Sequence, residues 1–310
     1  MITMLKTREN GMEQISEFEK GCWINMVDPT TDDIEKIVAQ GIPQDFITYP
    51  LDIDERARTE REDDGKMLVL IRTPYYMGPN VDIPYITIPL GIILTDDAVV
   101  TVSRRQTDMI NDMATGRVRG LTTGKKIRFI LKVLLINASK YLAFLREINR
   151  TVEDLEDRLQ QSLQNKEVLE LLKYQKSLVY FTTALKTNEL LLERLQRSQL
   201  FRMYPDDEDL LEDVITENQQ AIEMVNIASS ILSGMMDAFA SIISNNLNVV
   251  MKFLTSVTIL LSLPTIITSF FGMNVALPLD EKWFAWLFIL GMCIMLIGIT
   301  TIIFLRRKWF

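Results

Sequence analysis

Between Phe253 and Leu279 the sequence carries no charged residue, and between Trp283 and Leu305 it carries none again. Each run meets the length of about 20 apolar residues that a helix needs to cross a hydrocarbon core. Nothing before Lys252 resembles them. A chain of 310 residues that is 24% charged yet 48% apolar is therefore expected to be a large soluble body with a two-span anchor at its C-terminal end.

Proline and glycine divide the soluble part. Seven of the ten prolines lie at or before Pro89 and none follows until Pro205, while glycine is absent between Gly124 and Gly234. Turns are thus expected in residues 1–122 and long helices beyond. Cys22–Val27, Met67–Arg72, Tyr85–Leu94 and Ala98–Val102 are apolar runs of strand length. Thr30-Thr-Asp-Asp reads as a helix start, with a capping hydroxyl and acids in the first turn. Strands mixed with helices predict an α+β domain whose strand order the sequence does not reveal.

Residues 123–204 read as two or three helices. Leu178, Leu185 and Leu192 keep one face apolar at seven-residue steps. Pro205 followed by Asp206, Asp207, Glu208 and Asp209 suits a helix N-terminus. No proline interrupts until Pro264. A helix over 206–271 would be about 100 Å long, so residues 205–250 are expected to form a stalk and 251–310 the membrane part. The first span is placed at about 251–271, the external loop at 275–282 and the second span at 283–305. Residues 206–250 hold nine acids and no Lys or Arg, whereas 116–203 hold 17 bases and nine acids. The basic helices can neutralise the stalk, the acids can draw cations toward it, and the two readings are compatible.

Several chemistries are excluded. Without histidine there is no His-based zinc site, no Ser-His-Asp triad and no imidazole acid–base group. Cys22 and Cys293 fall in different parts of the chain and make no metal framework or disulfide. A net charge of −8 argues against nucleic acid as a partner. No nucleotide-binding glycine motif or catalytic constellation is present, so neither an enzyme nor an organic cofactor is expected. The first ten residues have no apolar signal core. Arg306-Arg-Lys308 after the second span predicts a cytoplasmic C-terminus, and two spans then put the N-terminal body on the same side of the plasma membrane. Trp283, Phe284 and Trp286 sit where interfacial aromatics belong.

Steps of four and three residues along the first span and its stalk select Asp237, Ser241, Ser244, Asn248, Met251, Thr255, Thr258, Ser262, Thr265 and Ser269. Nine of these ten are polar. A period of 3.5 residues keeps one seam on a common axis among like helices. Small hydroxyl residues also serve plain helix packing. The length of the seam and its cytoplasmic Asp favour a hydrated lumen, which two spans can enclose only in a ring of copies. Met251 and its neighbour Leu254 would narrow such a lumen as an apolar gate.

The helix ends in Phe271-Gly-Met-Asn274 before a loop of eight residues. Here the chain resembles the CorA family of magnesium transporters, whose signature is Gly-Met-Asn at the external end of the first of two C-terminal spans. Gly272, Met273 and Asn274 match it. The match covers residues 205–310, and before them the likeness is architectural. Phe271 stands where many members have Tyr, and Leu277-Pro-Leu-Asp280 where many have Met-Pro-Glu-Leu, with Asp280 and Glu281 as the nearest acids. The resemblance implies a funnel-shaped homopentamer in the bilayer, with Mg²⁺ transported and regulatory. It also implies a Gly-Met-Asn ring that accepts hydrogen bonds from the hydrated ion. Read without that context, Gly272 ends a helix and Asn274 caps it. Asp237 resembles a family position implicated in Mg²⁺ sensing, with Asp52, Asp54 and Glu55 as the acidic partners expected from the N-terminal domain. A relative transporting Zn²⁺, Co²⁺ or Ni²⁺ would share the tripeptide, and a membrane-anchored coiled-coil scaffold or sensor is the reading from another class.

Overall fold

The computed structural model describes residues 1–9, 11–161, 165–202, 204–273, 283–307 and 309. The chain divides into two compact units, Met1–Gly234 and Met235–Phe310.

The first unit is built on a seven-stranded sheet. Its strands are β1 (Ile2–Arg8), β2 (Gly11–Ile15), β3 (Cys22–Val27), β4 (Arg58–Arg61), β5 (Met67–Tyr76), β6 (Tyr85–Leu94) and β7 (Ala98–Ser103). They lie in the order β2-β1-β3-β7-β6-β5-β4. Only β3 and β7 run parallel. The four apolar runs of the sequence are the four central strands. Their apolar character is nearly continuous because both faces are covered. One face of β5 presents Met67, Val69 and Ile71 to a large cluster, and the other presents Leu68 and Leu70 to a smaller one.

The smaller cluster is closed by α1 (Thr31–Val38) and α2 (Gln44–Thr48), through Ile37, Phe46 and Ile47. At the start of α1 the Asp33 amide donates to the Thr30 hydroxyl and the Thr30 amide to the Asp33 carboxylate, a reciprocal cap. A 3-10 turn over Tyr49–Leu51 follows α2 and sets Pro50 directly on Gly91 of β6. A Cβ at Gly91 would stand 2.2 Å from Pro50 Cγ, so glycine is what allows this turn to reach the sheet.

The larger cluster is closed by α3 (Asp108–Ala114), α4 (Lys126–Gln161), α5 (Asn165–Arg197) and the first turns of α6 (Pro205–Phe271). Leu178, Leu185 and Leu192 of α5 are all buried, as their seven-residue spacing requires. Arg128 of α4 ties α6 down by donating to Asp207 at 2.9 Å and Asp206 at 3.1 Å. The acidic stretch Glu60-Arg-Glu-Asp-Asp64 enters the β4–β5 hairpin, which turns through Gly65 at φ 90°.

The second unit contains the remainder of α6, continuous through Pro264, and α7 (Ala285–Arg306). Both helices contain stretches long and apolar enough to cross a membrane. Leu261, Ile266, Trp286 and Ile294 are more than 60% exposed in the single chain, an arrangement suited to lipid or protein neighbours and not to water.

Candidate functional site

The polar seam and the shielded stripe of α6 occupy different faces of the helix. Ser256 is fully buried, and Val257, Leu260, Leu263, Pro264, Ile267 and Phe271 are partly shielded. On α7 the shielded positions are Ala285, Ile289, Met292, Cys293, Leu296, Ile297, Thr300, Thr301 and Phe304. Asn248, Met251, Thr255, Thr258, Ser262, Thr265 and Ser269 are all exposed, as is Leu254 beside them. At about 100° per residue the seam falls on the side of α6 opposite the shielded stripe. The hydroxyls of the seam therefore do not lie on the shielded stripe of the helix.

Their chemistry is directional. Thr258 donates to the Leu254 carbonyl at 2.8 Å, Ser262 to that of Thr258 at 2.8 Å, and Thr265 to that of Leu261 at 3.0 Å. Each hydroxyl proton is used on the preceding turn of the helix, which leaves the oxygen lone pairs facing outward. The seam thus offers acceptors, as a cation with its water shell requires. Ser256 makes the same bond to Lys252 at 2.7 Å but on the buried side. The 3.5-residue series passes Ser256 by, and that is the sequence signal of the difference.

Gly272 follows the last residue of α6, and its amide donates to Thr268 at 2.9 Å. It does not adopt the left-handed conformation of a helix-terminating glycine. A Cβ there would stand 3.2 Å from the Thr268 carbonyl oxygen, a tight contact. Met273 is exposed. Asn274, Asp280, Glu281 and the rest of the loop to Lys282 lie outside the described residues, as does Lys308.

The acids expected to regulate fall in both units. Asp237 is exposed in the second unit, and its carbonyl accepts from Ser241 at 3.0 Å. In the first unit Asp52 and Asp54 are exposed directly after the Pro50 turn, and an Asp52 carboxylate oxygen accepts from the Asp54 amide at 3.1 Å. Glu55 is turned back onto Arg58. Among the described residues no three Cys, Asp or Glu side chains are gathered as a metal-holding group.

Beneath that loop lies a group the sequence reading passed over. Arg72 of β5 donates to the Ile53 carbonyl, to Glu55 O at 3.0 Å and to Thr87 O at 2.6 Å. Its acceptors are neutral oxygens. Burial draws the guanidinium below its ordinary pKa, and the nearby charges of Asp54 and Asp52 oppose that shift. The Arg72 backbone is held with equal care. The last residue pair between β4 and β5 is Arg58 with Leu70. Two residues farther on, the Asn188 side chain takes a strand's place, accepting from Arg72 N at 2.9 Å and donating to Arg72 O at 2.9 Å. Asn137 and Tyr141 donate to the same carbonyl at 3.1 Å each. A lone Arg inside the apolar run Met67–Tyr76 was the available signal. Its partners, 116 residues away in the case of Asn188, were not visible in the sequence.

The model of the CorA-like Mg²⁺ transporter proteins matches residues 18–307. A cobalt/magnesium transport protein CorA of Methanocaldococcus jannaschii is 28% identical over 327 aligned positions that cover the whole of both chains. One from Thermotoga maritima is 26% identical over 236 positions, 71% of this chain and 64% of its own length. The complete structure of the CorA magnesium transporter from M. jannaschii superposes with a TM-score of 0.86 at 24% identity, covering 100% of this chain and 99% of that one.

Proposed function

The chain belongs to the CorA-like Mg²⁺ transporters, a family of divalent-cation transporters, and from that premise we propose that it is a passive, gated channel for Mg²⁺. The observation that carries this is the exposed acceptor seam on the face of α6 opposite its shielded stripe. In a ring of five copies those seams would line a hydrated path, with Asn248, Thr255, Thr258, Ser262, Thr265 and Ser269 offering lone pairs to the ion's water. Met251 and Leu254 would form the apolar constriction that empties of water when the ring tightens. Mg²⁺ gives up its first water shell reluctantly. A ring of Gly272 carbonyls and Asn274 amides, with Met273 between them, would therefore select the hydrated ion. Asp280 and Glu281 would hold cations near the mouth.

The body and both termini lie in the cytoplasm in this reading. Residues 1–122 form the sensing domain, 123–204 the helices supporting it, 205–250 the stalk and 251–310 the membrane part. Entry is driven by the inside-negative potential, worth about 2.3 kcal/mol per charge per 100 mV. Cytoplasmic Mg²⁺ bound between subunits by Asp237 and the Asp52–Glu55 loop would hold the ring closed, and loss of the ion would let like charges loosen it. A coiled-coil scaffold would need an apolar seam through the membrane, which the hydroxyls of α6 do not provide.

Divalent uptake into proteoliposomes tests the reading. Wild type should admit Mg²⁺ down a potential, while Asn274→Ala and the pair Thr258→Leu with Thr265→Leu should abolish flux without loss of assembly. Unchanged flux in the Leu pair would remove the seam from the path. The M. jannaschii relative is named for cobalt as well as magnesium. If Co²⁺, Ni²⁺ or Zn²⁺ outcompetes Mg²⁺ in the same vesicles, the transported ion is that one instead.

A further inference from the structure

The two spans meet their charged flanks at one end. Lys252 opens the uncharged run of α6 and Arg306 closes that of α7, with Arg307 directly after it. All three are exposed, and none forms an ion pair among the described residues. The only described acid of the second unit is Asp237, 15 residues before Lys252 and about 22 Å away along a helix. Among the described residues no Asp or Glu lies within one helical turn of any of the three along its helix.

The chain is shaped around this end. The Arg307 amide bonds the Ile303 carbonyl at 3.0 Å, and the Trp309 amide turns back to that of Phe304 at 3.0 Å. The Trp309 ring stacks on Phe304, with centroids 5.1 Å apart and planes 6° from parallel. An aromatic with a polar edge, fixed beside exposed cations at the end of a span, belongs at headgroup depth. We propose that Lys252, Arg306 and Arg307 form a binding collar for the phosphate headgroups of anionic phospholipids, anchored by the Trp309–Phe304 stack. The chain as a whole carries a net charge of −8, and the collar supplies positive charge at the membrane surface, so that it holds an acidic protein against a leaflet that would otherwise repel it.

Each basic side chain at such a surface is worth about a fivefold preference for anionic lipid, so the two arginines together account for about 25-fold at low salt. The inference rests on α6 and α7 crossing the bilayer, not on the ion carried. The test uses the full chain with Trp283→Phe and Trp286→Phe. Trp23 is fully buried in the first unit, so Trp309 becomes the reporter in the bilayer. The protein is reconstituted in mixtures of brominated phosphatidylglycerol and brominated phosphatidylcholine.

Quenching should favour the glycerol lipid at least about fivefold, fall to near parity in Arg306→Gln with Arg307→Gln, and return in the Lys pair. Equal quenching by both lipids in the parent protein, or a preference that survives the Gln pair, overturns the collar while leaving the spans intact. Absence of quenching by either lipid overturns the spans and the collar together.

Discussion

Gly91→Ala is expected to destabilise the first unit severely, and the geometry sets the scale. The new Cβ would lie 2.2 Å from Pro50 Cγ, 3.0 Å from Pro50 Cβ and 3.5 Å from Leu68 Cδ1. Ordinary carbon contacts begin near about 3.5 Å, so the proline ring must retreat by more than about 1 Å. A change of ring pucker moves Cγ but leaves the 3.0 Å contact at Cβ. Gly91 lies in the middle of β6, paired on both sides, and the sheet cannot yield. The 3-10 turn must therefore lift, loosening Phe46 and Ile47, which are 2% and 0% exposed. Overpacking of this kind costs about 1–3 kcal/mol, and the rigidity of both partners puts the change at the upper end. At about 2–4 °C per kcal/mol for a unit of this size, Tm should fall by about 6–12 °C. Thermal unfolding of the full-length protein in detergent, followed by circular dichroism, measures it. Gly124→Ala is the control, since nothing lies within 4 Å of its Cβ and its φ is not positive, and it should be neutral or slightly stabilising. A Gly91→Ala protein within 1 °C of wild type would refute the claim that Pro50 seals the sheet.

Asn188→Ala should cost about 1–3 kcal/mol in urea unfolding, because the Arg72 amide is left buried without an acceptor. Asn137→Ala should cost less, since its own Oδ1 is already unpartnered and the Arg72 carbonyl keeps two other donors; the reverse order would contradict the strand-replacing role of Asn188. Asp33 is held below the ordinary carboxylate range chiefly by the Thr30 amide and also by the N-terminal ammonium. A depressed folded pKa stabilises the fold above the unfolded value and loses that contribution as pH falls through the folded one. Unfolding midpoints should therefore drop below about pH 4, and less so in Asp33→Asn. Protection from protease by millimolar Mg²⁺ should disappear in Asp237→Ala; full protection in that variant would remove Asp237 from the sensor.

Much of the architecture was legible because it rests on local pattern. Apolar runs of strand length, a Thr–Asp cap, leucines at seven-residue spacing and two uncharged runs each dictate an element without reference to the rest of the chain. The seam on α6 was legible for the same reason, since a period of 3.5 residues is a property of one helix. The Gly272 conformation was not, because a glycine at a helix end reads as a left-handed cap until the backbone is seen. Nor was Arg72, whose partners lie on β6, α4, α5 and the loop after Pro50.

The amino-acid order by itself determined where the helices run, which stretches suit a hydrocarbon core and which side of α6 is polar, since these follow from residue chemistry at fixed helical and strand periods. Only the tertiary structure decided the strand order, the seating of Pro50 on Gly91 and the use of Asn188 in place of a strand. It also decided that the shielded side of α6 is the one away from the hydroxyls. Those outcomes depend on which distant surfaces fit together, and a one-dimensional pattern holds no measure of that fit.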